Sequence, residues 1–307
     1  MTDLPEDFQF ADAFVQLLEA VYTEAQVAHI LAALASEGPR CFWYNPLKSC
    51  VETLGDFEPV SGLHQVWLAP EAAELTYSQA AQEGQIYFQN ASSVYAARML
   101  GAQPDEEVLD LAAAPGGKTI ALAAAMGNTG RIAAVEVVKG RFHRLKANLE
   151  RCGVTNVQLY LRDGRGVGRA VPERFDRVLL DAPCSSESHM RWDDASTYQH
   201  WSPRKVKECQ RKQKSLLRSA YAALKPGGVL LYSTCSFSPE ENELVVDHLL
   251  KRTDAEVEPL ELTQDHFLPG MTTWRNKALH PDLGTTLRIL PHGVWDGFYM
   301  ARLKKPG

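Results

Sequence analysis

Nowhere in the 307 residues is there a run of about 18 or more apolar residues, so the chain offers no segment that reads as a bilayer-spanning helix. None of the six cysteines (Cys41, Cys50, Cys152, Cys184, Cys209, Cys235) forms a CxxC, and no HExxH accompanies the nine histidines. That spacing supports neither a zinc site nor a disulfide framework, so no metal is expected. The opening MTDLPEDF is acidic where a targeting leader would be basic, and a cytosolic location is expected. Internal repeats and low-complexity segments are also lacking.

Basic residues are scarce at first. Residues 1 to 83 hold 13 acids and only two bases, Arg40 and Lys48, a net of −11, whereas residues 84 to 307 hold 30 bases and 25 acids, a net of +5. The whole-chain charge of −6 therefore hides a mildly basic larger part. Its bases cluster over residues 139 to 151, over 162 to 174, and at Arg204, Lys205, Lys207, Arg211, Lys212, Lys214 and Arg218. Such clusters are either solvated helix faces or tracks for a phosphate backbone.

Residues 10 to 35 read as two short helices, the second opening at Thr23 with Gln26 in capping-box register. Residues 36 to 85 are irregular, with a hairpin or two leading to Ile86-Tyr87-Phe88. This divides the chain into a small acidic unit, 1–83, and a larger domain, 84–307. From residue 106, apolar runs at 107–112, 131–137, 156–161, 175–181 and 228–233 alternate with helical segments, the signature of a doubly wound α/β sheet. Helices are expected to open at Ser202-Pro203 and at Ser238-Pro239, the latter with Glu241 at its third position. Three apolar runs between 256 and 303 read as strands closing the far edge of the sheet.

In such a sheet, ligands bind beyond the carboxyl ends of the strands. The first strand runs into Ala112, Ala113, Ala114, Pro115, Gly116, Gly117 and Lys118, a small-residue turn that lets main-chain N–H groups approach a ligand. A phosphate loop would need glycine at 112, where Ala112 stands. Glu136 ends the next strand, where an acid can accept both ribose hydroxyls, and Asp163 ends the third. A lone strand-end acid is commonly a helix cap, but three successive strand ends of this kind point to an adenosyl cofactor.

The fourth strand ends in Asp181-Ala182-Pro183-Cys184 and the fifth in Ser233-Thr234-Cys235-Ser236, so both cysteines land on the ligand edge. Carbon 5 of cytosine is a poor nucleophile. Methylating it calls for a thiolate that adds to carbon 6, giving an enamine whose carbon 5 attacks a sulfonium methyl. It also calls for an acid near N3, where Asp181 is well placed, and a base for the carbon 5 proton. The residues alone do not say which cysteine attacks.

These motifs, with Asp163-Gly164, Lys225-Pro226-Gly227-Gly228 and Asp296-Gly297-Phe298-Tyr299, resemble the Sun (Fmu) type of RNA 5-methylcytosine methyltransferases over residues 85 to 303. The resemblance implies a Rossmann-like class I methyltransferase sheet using S-adenosylmethionine. It implies a cofactor pocket lined by Ala112 to Lys118, Glu136, Asp163 and Asp181. It also implies Cys235 as nucleophile and Cys184 in product release, with Asp181 and Lys118 beside them. Ala112, Glu136 and Ser186 depart from the family's usual cysteine, aspartate and glycine, and none of the three removes a catalytic group.

The implied partner is RNA, ribosomal or transfer, and a monomer is expected. The segment from Ser186 to Trp201, with His189, Arg191, Trp192, Tyr198 and His200, offers rings for base stacking or for local packing. Two rivals stand against this reading: methylation of an exocyclic amine, for which Cys184 is out of place, and a cofactor-binding RNA scaffold without activity.

Overall fold

The computed structural model describes residues 12–35, 38–48, 55–69 and 72–307. Cys50 and the first eleven residues lie outside the described residues. Helices α1 (Asp12–Val21) and α2 (Glu24–Leu34) meet at the expected capping box, in which Gln26 N donates to Thr23 Oγ1 at 3.4 Å and Thr23 N to Gln26 Oε1 at 3.0 Å. Their apolar faces, with Phe14, Leu18, Ile30 and Leu34, pack against Met190, Trp201 and Phe237 of the larger domain. Next come β1 (Arg40–Tyr44), β2 (Trp67–Ala69), the short helices α3 (Ala72–Thr76) and α4 (Gln79–Gln82), and β3 (Ile86–Phe88). These strands form an antiparallel sheet in the order β2-β1-β3, so this sheet continues past residue 84.

The central sheet follows α5 (Ala91–Met99). It is built from β4 (Glu107–Asp110), α6 (Gly117–Ala125), β5 (Arg131–Glu136), α7 (Lys139–Arg151), β6 (Val157–Leu161), α8 (Val167–Ala170), β7 (Phe175–Asp181), α9 (Pro203–Ala223), β8 (Leu224–Thr234) and α10 (Glu243–Leu250). Strands β9 (Glu256–Glu258), β10 (Phe267–Pro269), β13 (Leu287–Ile289) and β14 (Phe298–Lys304) complete it, while β11 (Thr273–Trp274) and β12 (Lys277–Ala278) pair separately. The order is β6-β5-β4-β7-β8-β14-β13-β10, with β9 on β14. The first five are parallel, whereas β14, β13, β10 and β9 pair antiparallel; the three apolar runs expected to close the far edge between 256 and 303 are there as four strands.

Helices α5, α6 and α7 cover one face through Val94, Ile120 and Leu149, and α9 and α10 cover the other through Leu217, Ala220 and Val246. Strands buried on both faces need the continuous apolar runs seen at Val178-Leu179-Leu180 and Val229-Leu230-Leu231. Each such leucine contributes about 1.5–3 kcal/mol by leaving water. Winding runs outward from β4 to β6 on one side and from β7 to β8 on the other, so the crevice opens where β4 and β7 lie side by side.

The helix expected at Ser238-Pro239 begins instead at Glu243, after a turn. Glu241 is buried and turns its carboxylate onto Ser185 and Gln213 rather than capping a helix. By contrast, Ser202 caps α9 as expected, accepting from Lys205 N at 3.1 Å.

Candidate active site

The turn after β4 is shaped by Gly116, whose φ of +112° belongs to the region glycine favours and which aims the first N–H groups of α6 outward. Ala112, Ala113, Ala114, Pro115, Gly117 and Lys118 line a cavity of about 150 Å³ with Asp110, Asp181, Ser93 and Gln89. Gly116 shapes the turn without lining the cavity. Ala112 also lines a second cavity of about 290 Å³, whose walls include Leu111, Val137, Pro183 and Leu216 and whose acids are Glu136 and Asp163.

Glu136 is 3% exposed; one carboxylate oxygen accepts from Val138 N at 2.8 Å, and Arg141 stands 3.7 Å from the other. Asp163 caps the turn that follows β6 and is held by Arg165, whose hydrogen bonds keep the carboxyl below its usual range. This cavity therefore combines apolar walls with the two carboxylates of Glu136 and Asp163.

Lys118 Nζ lies 2.8 Å from Asp181 Oδ2 and 3.0 Å from Ser93 Oγ, while Ser233 Oγ donates to Asp181 Oδ1 at 2.8 Å. The Lys118 side chain is 12% exposed and that of Asp181 33%, so the pair is largely shielded from water and its geometry is fixed. Asp110, which sequence reasoning passed over, sits behind them. It accepts from Thr119 Oγ1 at 2.6 Å, and burial pushes its carboxyl up to about 7. Its one signal is an acid that ends the apolar strand β4, just before the small-residue turn.

The two cysteines meet because β7 and β8 are parallel neighbours that end at the same level, with Asp181 opposite Ser233. Cys184 Sγ and Cys235 Sγ are 3.1 Å apart. The hydrogen bond shared with Cys235, together with burial, pushes the Cys184 thiol well above its ordinary value. On its other side, Cys235 Sγ lies 3.9 Å from His189 Nδ1, and His189 Nε2 is 3.2 Å from Asp296 Oδ2.

Behind both cysteines lie two carboxyl groups, Glu187 and Glu241, each with no exposed surface. Glu187 accepts from Trp201 Nε1 at 2.9 Å, Ser236 Oγ at 2.9 Å, Phe237 N at 2.7 Å, Ser238 N at 3.0 Å and Ser185 Oγ at 3.0 Å. Glu241 accepts from Ser185 N at 3.0 Å and Gln213 Nε2 at 2.7 Å and lies within hydrogen-bond distance of Ser236 Oγ, at 3.2 Å, and of Ser185 Oγ, so each hydroxyl bridges the two carboxyl groups. Burial and then the neighbouring Glu187 push Glu241 up to about 7, and burial raises Glu187 as well. Ser185 follows Cys184 and Ser236 follows Cys235, so the pair of acids ties the two cysteine turns together.

In the ring-rich segment Trp201 and Trp192 serve local packing, whereas His200 is exposed. Trp201 is buried edge-on against Phe14 at 5.4 Å, and Trp192 Nε1 donates to Ala35 O. His189 instead faces Cys235. On α9, Val206, Cys209, Leu216, Leu217 and Ala220 are buried as expected, and Arg204, Lys207, Arg211 and Lys212 are exposed. A third cavity of about 360 Å³, between Arg40, Cys41, Gln89, Asn90 and the Gly293–Asp296 loop, adjoins the first through Phe88 and Gln89. The N-terminal sheet thus lines this third cavity through Arg40, Cys41 and Phe88.

Among the described residues no helix is long and apolar enough to cross a membrane, and no group of three or more histidine, cysteine or acidic side chains is arranged to hold a metal. Three comparisons place the chain among known proteins. It is 42% identical, over 78% of its length, to a ribosomal RNA small subunit methyltransferase F of Vibrio vulnificus, and 38% identical, over 96% of its length, to that of Escherichia coli. It spans 50% and 63% of those relatives. A crystal structure of a methyltransferase homolog from Pyrococcus horikoshii superposes with a TM-score of 0.83 at 33% identity, covering 97% of this chain and 96% of that one. Residues 97–304 match the family described as 16S rRNA methyltransferase RsmB/F, and the chain belongs to that family.

Proposed function

We propose that the chain methylates carbon 5 of a cytosine in small-subunit ribosomal RNA, with S-adenosylmethionine as donor and Cys235 as the attacking thiol. When bound, S-adenosylmethionine supplies an electrophilic methyl group on a sulfonium. Glu136 would hold its ribose, with Asp163 nearby, and the small residues from Ala112 to Gly117 would leave room for main-chain contact. The observation that carries the reading is the meeting of Cys184 and Cys235, 3.1 Å apart beside the Lys118–Asp181 pair, on the crevice edge of a methyltransferase sheet.

The target base leaves its stack, because a stacked ring hides both faces from attack. Cys235 adds to carbon 6, and the electrons of the 5,6 double bond move through the ring toward N3. There Asp181 acts as the acid that delivers a proton to N3, and Lys118, 2.8 Å away, offsets the charge left on the carboxylate. Cys184, whose raised thiol pKa keeps it protonated and poorly nucleophilic, assists release. The exposed bases of α9 would meet the phosphates. The setting would be the cytosol.

The test is a denaturing gel for covalent protein–RNA adducts formed by wild type, Cys184→Ala and Cys184→Ala/Cys235→Ala on small-subunit ribosomal RNA with S-adenosylmethionine. An adduct that accumulates with Cys184→Ala and is lost in the double variant is expected. Adducts that require Cys184 would reverse the two roles. Methyl transfer that needs neither cysteine would favour exocyclic-amine chemistry.

A further inference from the structure

The proposed reaction needs a group that takes the thiol proton of Cys235 before sulfur bonds to carbon 6. Cys184 is ill suited, since its own thiol holds its proton well above the ordinary range. The Lys118 ammonium is already donated to Asp181 and Ser93. The remaining titratable side chain beside the sulfur is His189, with its Nδ1 at 3.9 Å.

We propose that His189 is the base that activates Cys235 and that Asp296 orients it. This rests on the reading of Cys235 as nucleophile. Asp296 Oδ2 is 3.2 Å from Nε2 and keeps the proton there, so the lone pair of Nδ1 is directed at sulfur. Nucleophile, base and orienting carboxylate thus form a relay of the kind that activates cysteine in other enzymes. The hydrogen bond to Asp296 raises the imidazole pKa, with Cys184 acting in the same direction and Lys118 and partial desolvation opposing. Protonation by the thiol is thereby favoured.

The step balances. The sulfur–hydrogen bond breaks, its proton joins Nδ1, and the sulfur lone pair forms the bond to carbon 6. On release a base takes the carbon 5 proton, the electrons of that carbon–hydrogen bond re-form the 5,6 double bond as the sulfur–carbon bond breaks, and the freed thiolate takes back the proton held on Nδ1.

The site positions these residues by ordinary means. Ser188 N donates to Cys235 O at 3.1 Å, which docks the short turn carrying His189 onto the end of β8. Asp296 is held from the other side, its N–H donating to Asn90 Oδ1 at 3.3 Å and its carbonyl accepting from Ser92 Oγ at 2.8 Å. His189 comes from the loop after β7 and Asp296 from the loop before β14. The residue is 59% exposed on its side chain, so replacing it leaves the core untouched.

The test uses the whole chain without RNA. Iodoacetamide alkylation of Cys235, read by peptide mass spectrometry in the Cys184→Ala background, is followed from pH 5.5 to 9 for His189, His189→Gln and Asp296→Asn. With His189 present, alkylation is expected to persist on the acid side of an ordinary thiol. With His189→Gln the rate at pH 7 should fall about tenfold and follow one titration near that of a free cysteine, about 8.5. Asp296→Asn should lie between. Superimposable profiles for His189 and His189→Gln would overturn the proposal. Because alkylation needs no RNA, a His189-dependent profile together with no RNA adduct would fault the cytosine reading and leave the thiol activation standing.

Discussion

Replacing Glu241 by glutamine should change how the protein's stability depends on pH. Glu241 has no exposed surface, and its carboxyl is raised from 4.5 to about 7 by burial and by Glu187. A raised carboxyl binds its proton more tightly in the folded chain than in the unfolded one. Stability from this group is therefore fully present below pH 4.5, the unfolded value, and is lost as pH rises toward 7. A shift of this size corresponds to about 3 kcal/mol, a large share of the net stability of an ordinary domain.

Glutamine keeps the shape and the hydrogen bond to Ser185 N but cannot ionise, so the variant should lack this loss. Denaturant unfolding of wild type and Glu241→Gln at pH 4.5, 6 and 7.5 measures the difference directly. The variant should gain about 3 kcal/mol relative to wild type between the two ends of the range. Parallel curves would show that burial and Glu187 do not raise the Glu241 carboxyl in the folded chain, and the account of this buried pair would be wrong.

Three further outcomes follow from single contacts. A methyl group added at Gly297 would lie 2.3 Å from the Phe237 ring, so Gly297→Ala should destabilise the chain by about 1–3 kcal/mol in thermal or denaturant unfolding. Glu136→Ala should weaken S-adenosylmethionine binding about tenfold or more by calorimetry, since the lost acceptor lines the cavity proposed for the cofactor, and should also lower the melting temperature, since the buried carboxylate accepts from Val138 N. Trp201→Ala removes both the ring packed on Phe14 and the indole donor to Glu187, and should cost about 3–5 kcal/mol in unfolding.

Much of the site was legible because its signals are local. Alternating apolar runs specify buried parallel strands through their period. A small-residue turn, Glu136, Asp163 and the two cysteines then stand at strand ends, where the sheet's winding opens its crevice. The capping box at Thr23 and the start of α9 at Ser202 are likewise decided within four residues of chain.

What the sequence could not specify are contacts between loops that only the sheet order makes neighbours. Glu187 and Glu241 look like ordinary surface acids in the chain. They become a buried pair because β7 and β8 bring their turns together and surround them with hydroxyls, amides and an indole. His189 reads as one ring among several until Asp296, delivered before the antiparallel β14, fixes its orientation toward Cys235. Period and strand-end chemistry are properties of short segments and survive in the sequence. Which polar groups share a buried space depends on where distant segments are laid side by side, and that the tertiary structure alone decides.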